Sequence, residues 1–271
     1  MKKSVNGAFA VLMTPFVKNR VDYNAFERQV QRLRGTNVAG YVVNGSTAEF
    51  VHLLKEEKQR LVEIVAKNAD ADKKIIVSAC ESNIANTYEI CKHAKSVGAD
   101  AVLVCPPYYF QYSRENLKQY FLQLADISPL PVILYNIPFF TQELPVGLIF
   151  ELMNHKNIIG IKDSSGSMKR IMHLIDVAKD TSFAVLTGTD DMLLPAYVGG
   201  CAGSMTALAT IYPDRISAIY YAVLMGDYES ARILQHSIME DIRTADSKTF
   251  PRGYKQLMEN VTGIRFGDRE V

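Results

Sequence analysis

Asn157-Ile158-Ile159-Gly160-Ile161-Lys162-Asp163-Ser164-Ser165-Gly166 is the stretch whose reading decides the fold. Residues 158–161 read as a short strand, β-branched and without alternation, the pattern of a strand buried on both faces. A lysine closes it. Polar residues and a glycine follow, and after Ser167 an amphipathic run opens with Ile171, Leu174, Ile175 and Ala178 on one face. Strand, polar turn and helix make one βα unit of a parallel sheet. The lysine stands where an apolar strand meets its loop. Poor solvation there disfavours an ammonium, so the amine can attack a carbonyl carbon. Pairing with Asp163 at the strand end is the other reading, and this stretch alone leaves both open.

The same unit recurs on either side. Strands are expected at 9–13, 40–43, 74–79, 101–105, 131–135, 158–161, 184–187 and 201–205. Between them helices are expected from Asp22 on, at 55–68, 83–97, 114–126 and 145–153, after Ser167, and at 191–198. Further helices fall at 213–224, 228–242 and 252–260. No hairpin signal interrupts the alternation, so the class is α/β. Eight such units in a chain of this size imply a closed (β/α)8 TIM barrel with additional C-terminal helices. Residues 1–225 are assigned to the barrel and 226–271 to a C-terminal helical extension packed on it, as one structural domain. An open doubly wound sheet would want a Gly-rich turn after its first strand, and Thr14-Pro15-Phe16 is not one.

Composition narrows the partners. Of 271 residues 48 % are apolar, enough for an extensive core, and the formal net charge is +1. Neither a basic field for nucleic acid nor an acidic tail is present, which leaves a small-molecule partner. Cys80, Cys91, Cys105 and Cys201 form no CxxC pair and read as reduced core residues of a cytoplasmic protein. The five histidines show no HExxH spacing, so no metal is expected. The apolar run at residues 8–13 is too short for a signal core, and no segment approaches a membrane span.

In a barrel of this kind the active site forms at the C-terminal ends of the strands. Ser46 and Thr47 follow the second strand, Tyr108 and Tyr109 the fourth, and Tyr135 the fifth. Lys162 ends the sixth, Asp190 and Asp191 follow the seventh, and Ser204 ends the eighth. Gly45-Ser46-Thr47 offers hydroxyls and successive N–H groups that suit a carboxylate, or simply a helix cap. Tyr135 can pass a proton, or can be a buried tyrosine with a hydrogen-bond partner.

Gly45-Ser46-Thr47-Ala48-Glu49, Tyr135-Asn136-Ile137-Pro138 and Gly160-Ile161-Lys162-Asp163 together resemble the signatures of the dihydrodipicolinate synthase and N-acetylneuraminate lyase family. The opening strand and Pro106-Pro107-Tyr108-Tyr109 are similar too, and the likeness runs from about residue 5 to 267. It implies a class I pyruvate-dependent aldolase without a cofactor. Lys162 would form an imine with a 2-oxo acid, Tyr135 would shuttle the proton, and Ser46 and Thr47 would hold the carboxylate. Thr47 would also link to Tyr135. Tyr109 would reach into a neighbouring subunit's site, implying a homotetramer or a tight dimer.

The branches of this family differ beyond the pyruvate unit. The synthase branch has an arginine two residues after its YNxP motif, where this chain has Phe140. A phenyl ring lacks the charge and the donor fork of a guanidinium. The lyase branch has a Gly-x-Asp-Glu run, and Gly188-Thr189-Asp190-Asp191 stands in its place, suiting a polyhydroxylated substrate or a helix start. Ser164 and Ser204 fall where that branch has other hydroxyl contacts. Cleavage of a 2-keto-3-deoxy sugar acid or an N-acetylneuraminate-like substrate to pyruvate and an aldehyde is therefore the first expectation. Dihydrodipicolinate synthase is the alternative, and a non-catalytic 2-oxo acid sensor the third.

Overall fold

The computed structural model describes residues 5–269. Residues 1–4 and 270–271, at the ends of the expected barrel and extension, lie outside the described residues. Eight strands form one closed barrel in which each is bonded to its sequence neighbour, as expected for a (β/α)8 fold. They are Gly7–Val11, Gly40–Val43, Lys74–Ser78, Ala101–Val104, Val132–Asn136, Ile158–Asp163, Ala184–Thr187 and Gly203–Thr206. Helices occupy the connections, and several begin on a side-chain cap. Asp22, Asn83, Ser113 and Ser167 accept the N–H of Ala25, Ala85, Asn116 and Arg170. Each such cap is worth about 1 kcal/mol.

Three local features depart from expectation. A two-residue hairpin, Phe16–Val17 with Arg20–Val21, follows the first strand. Its turn uses Lys18 and Asn19 at φ 47° and 63°. Positive φ at both turn residues is the type I′ pattern, but Lys-Asn lacks the glycine that usually advertises it. The expected helix at 228–242 is two, Tyr228–His236 and Met239–Asp246. Between them the Ser237 hydroxyl bonds back to the Leu234 carbonyl at 2.7 Å and competes with helix continuation. A four-residue helix, Leu208–Ile211, is too short to show a period.

The contacts divide the chain into two compact units. One is built on Ile76–Ser204. Its sixth strand carries one extra residue, since Val132 pairs with Ile158 but Ile133 with Gly160. That bulge brings Tyr135 opposite Lys162 and Asn136 opposite Asp163. Register partners in a sheet point to the same face, so without the bulge the lysine would oppose residue 136 instead. Gly160 is needed where the seventh strand comes close: a β-carbon there would lie 2.6 Å from the Ala184 carbonyl oxygen.

The other unit comprises Ala8–Ile75 and the chain from Met205. Phe9, Ala10 and Val11 pair with Gly40, Tyr41 and Val42. Buried Gln29 exchanges hydrogen bonds with the Met13 backbone at 3.1 and 2.8 Å. Arg32 donates to the Thr210 and Ile211 carbonyls at 2.8 and 2.6 Å, closing the end of the short helix. Met13, Ile211, Met258 and Phe266 form a core under the last helix, Arg252–Thr262. No helix among the described residues is long and apolar enough to cross a membrane.

Candidate active site

Lys162 and Tyr135 end neighbouring strands and are 4 % and 3 % exposed. The lysine Nζ lies 4.4 Å from the centre of the tyrosine ring. This is within cation–π range and holds the amine against the phenol side chain. The bulge described above explains why the two face each other.

The fate of Asp163 separates the two readings of the lysine. Asp163 is 1 % exposed and follows Lys162, so strand alternation turns it to the opposite face. There its carboxylate accepts from Arg170 Nε at 2.7 Å and Asn136 Nδ2 at 2.8 Å. It also accepts from the Ser165 N–H at 3.0 Å and the Ser165 hydroxyl at 2.5 Å. Arg170 continues to the Leu144 carbonyl and Glu143. Asn136 in turn accepts the Leu144 N–H at 2.9 Å. The residues immediately after Tyr135 and Lys162 are thus tied to each other and to the helix Met168–Ala178. The carboxylate is committed to this clamp on the face away from the amine.

Around the amine the chain is closely fitted. The Gly188 N–H donates to the Asp163 carbonyl at 2.8 Å. A β-carbon on Gly188 would sit 1.9 Å from the Ser164 hydroxyl and 2.8 Å from Lys162 Cε, so Ser164, Gly188 and Lys162 converge. Ser204 is fully buried and accepts a 2.7 Å hydrogen bond from the Tyr197 hydroxyl, which fixes its orientation. The acidic pair divides: Asp190 is 6 % exposed, whereas Asp191 is exposed in the first turn of the following 3-10 segment. Tyr109 differs from these buried residues. It is 91 % exposed at φ 87° and packs edge-on against Phe110 at 4.9 Å. A tyrosine at positive φ is strained by about 1–3 kcal/mol.

The Gly45-Ser46-Thr47 turn belongs to the other unit. Ser46–Ala48 form a 3-10 turn, closed by the Ala48 N–H on the Gly45 carbonyl at 3.0 Å. Asn44 and Glu49, which flank it, both adopt left-handed conformations at φ 60° and 56°. Two strained non-glycine residues around one turn are the kind of cost that persists at functional loops. Ala48, inside the turn, takes no positive φ. Thr47 is 6 % exposed, and its hydroxyl has no hydrogen-bond partner among the described residues. Such an orphan costs about 1–3 kcal/mol, which an incoming acceptor would relieve. Glu49 is held from below by Lys255, fully buried in the last helix, whose amine also meets the Gly267 carbonyl at 3.0 Å.

A closed (β/α)8 barrel with a lysine and a tyrosine buried at the C-terminal ends of adjacent strands has its polar chemistry where barrel enzymes carry their active sites. The chain belongs to the dihydrodipicolinate synthetase family, whose model matches residues 4–268. Members of this family are pyruvate-dependent class I lyases and synthases. A 4-hydroxy-tetrahydrodipicolinate synthase of Methanosarcina mazei is 34 % identical over 257 residues, covering 94 % of this chain and 88 % of its own. The chloride-inhibited dihydrodipicolinate synthase of Acinetobacter baumannii, solved with pyruvate, superposes with a TM-score of 0.92 at 28 % identity, covering 97 % of this chain and 90 % of its own. CdNal from Clostridium difficile, solved with mannosamine, shares the fold at TM-score 0.91 and 23 % identity, covering 99 % and 93 %. Sequence reading set sugar-acid cleavage first and the synthase second; the named relatives favour the second.

Three parts of this arrangement escaped the sequence reading. The Arg170 clamp was signalled only by an arginine one turn into the helix after the lysine strand. Tyr197, which orients Ser204, had no motif. Cys80 and Cys105 read as ordinary core cysteines because only the register shows what lies beside them.

Proposed function

We propose that Lys162 forms an imine with the ketone of pyruvate, and that a carbon–carbon bond to an aldehyde is then made or broken at the adjacent carbon. The observation carrying this is the buried amine 4.4 Å from the Tyr135 ring, with the neighbouring carboxylate committed to Arg170. A protonated imine draws electrons from the carbon beside it, so no further cofactor is needed. Tyr135 exchanges the proton. By resemblance, Ser46 and the orphan hydroxyl of Thr47 hold the carboxylate.

For the aldehyde half, the names of the relatives support condensation with aspartate semialdehyde, the 4-hydroxy-tetrahydrodipicolinate synthase reaction. One observation favours cleavage of a sugar-derived 2-oxo acid instead: Phe140, 56 % exposed, stands where the synthase pattern has its arginine. Buried Asp190, with Ser164 and Ser204, would then meet hydroxyls. Two assays decide between them. In one, pyruvate and aspartate semialdehyde are supplied together. In the other, a panel of 2-keto-3-deoxy sugar acids and N-acetylneuraminate is scored by pyruvate release. Turnover in the first alone supports the synthase, and in the second alone the aldolase. Turnover in neither, with pyruvate bound reversibly, would overturn both in favour of a sensor. Exposed Tyr109 suits a role completed by a second copy, in a dimer or tetramer, and free buried thiols suit a cytoplasmic setting.

A further inference from the structure

Four side chains share one row across the ends of the third to sixth strands. Tyr135 partners Lys162. Val104 partners Leu134, so the next step sets Cys105 beside Tyr135. Ser78 partners Leu103, and two steps on Cys80 stands beside Cys105. Hydrogen bonds carry this register past the strand ends. The Ala79 N–H donates to the Leu103 carbonyl at 2.9 Å, and the Cys105 N–H to Cys80 Sγ at 3.2 Å. Neighbouring strands lie about 4.8 Å apart, inside the separation a disulfide tolerates.

The two thiols differ from the other two cysteines. Burial pushes Cys91 up to about 11 and Cys201 up to about 12, leaving both inert. Cys80 is as deeply buried, and burial alone would raise it too. The Cys105 thiol, the Ser78 hydroxyl at 3.3 Å, the Cys105 N–H and the positive field of Lys162 outweigh that and hold it below the ordinary thiol value. Cys105, donating its proton to Cys80, is pushed well up. The Ser78 hydroxyl and the Cys105 N–H both donate to Cys80 Sγ and favour a thiolate there, and Cys105 stands next to it in the row.

We propose that Cys80 and Cys105 form an oxidisable dithiol beside the amine, which a hydroperoxide closes to a disulfide that stops imine formation. Cys80 sulfur attacks the peroxide; the O–O bond breaks, one oxygen stays as a sulfenic acid, and the other leaves as water with the thiol's proton. Cys105 sulfur then attacks Cys80 sulfur; the S–O bond breaks, and hydroxide departs as water with the Cys105 proton. Two thiols are oxidised and one hydrogen peroxide is reduced to two waters. Closing the sulfurs to about 2 Å shifts Cys105 in the row beside Tyr135, whose ring lies under the Lys162 amine. The inference rests on the proposed reading for access: an amine reached by a 2-oxo acid lies in the same row, and a hydroperoxide is smaller.

The test exposes the whole protein to hydrogen peroxide, then maps peptides without reduction and measures borohydride trapping of pyruvate. A linkage joining the Cys80 and Cys105 peptides is expected, with Cys91 and Cys201 still free on unfolding. Trapping should fall at least tenfold and return with dithiothreitol. Cys105→Ser should stop at a dimedone-reactive sulfenic acid on Cys80. Free thiols at both positions after exposure, or a disulfide that leaves trapping intact, would overturn the proposal. Trapping that fails before any peroxide counts against the imine reading instead, and the peptide map still judges the dithiol.

Discussion

Replacing Arg170 by methionine tests whether the clamp holds the lysine strand in place. The substitution keeps an unbranched apolar side chain but strips Asp163 of its cation. The guanidinium is 9 % exposed and the carboxylate 1 %, so water does not replace what is lost. Breaking a buried pair by removing one partner costs about 3–5 kcal/mol. Asn136 and Ser165 still donate to the carboxylate, which sets the expectation at the low end, about 3 kcal/mol. For a chain of this size that is a fall in Tm of roughly 6–12 °C. Circular dichroism melts read the stability, and borohydride trapping reads the amine. Arg170→Met should lower both Tm and the trapping rate. Adding Asp163→Asn should recover part of the stability by discharging the stranded carboxylate, a coupling that only neighbours show. A single variant melting within about 2 °C of the parent would refute the clamp, since it would mean less than about 1 kcal/mol at stake.

Gly188→Ala places a methyl 1.9 Å from the Ser164 hydroxyl and 2.8 Å from Lys162 Cε, and should lower kcat/KM for any pyruvate reaction more than tenfold, with Tm falling by a few degrees as Ser164 is displaced. Steady-state kinetics beside a melt separates the two effects. Thr47→Val removes an orphan hydroxyl; KM for pyruvate should rise while stability holds or gains about 1 kcal/mol. A destabilised variant with unchanged KM would argue for a purely structural threonine. Glu57 is paired with Arg269 at 2.6 Å, and that hydrogen bond lowers its pKa from 4.5. Its contribution is therefore whole above pH 4.5 and lost as pH falls through the lower folded value. Glu57→Gln should melt lower than the parent at pH 7, with the gap shrinking below pH 4.5.

The barrel was legible because each βα unit announces itself: a β-branched run, a polar stop and an apolar face at helical spacing. A local run such as Ala184-Val185-Leu186-Thr187, the seventh strand, needs no knowledge of distant contacts. The hairpin at Lys18-Asn19 was not legible, because its positive φ values are imposed by context and not by glycine. Lys162 and Tyr135 stood out through chemistry at strand ends. What sequence could not supply was the bulge between Ile158 and Gly160, and everything beside the lysine depends on that one-residue slip. The Cys80–Cys105 row and the turn of Asp163 toward Arg170 are consequences of register, which no local pattern encodes.

Reductive trapping tests the central claim most directly. The protein is incubated with pyruvate and sodium borohydride, digested, and searched for the reduced adduct by mass spectrometry. The account predicts one modified residue, Lys162, with modification abolished in Lys162→Ala. An unmodified Lys162 under saturating pyruvate, or an adduct on another lysine that survives the substitution, would contradict it.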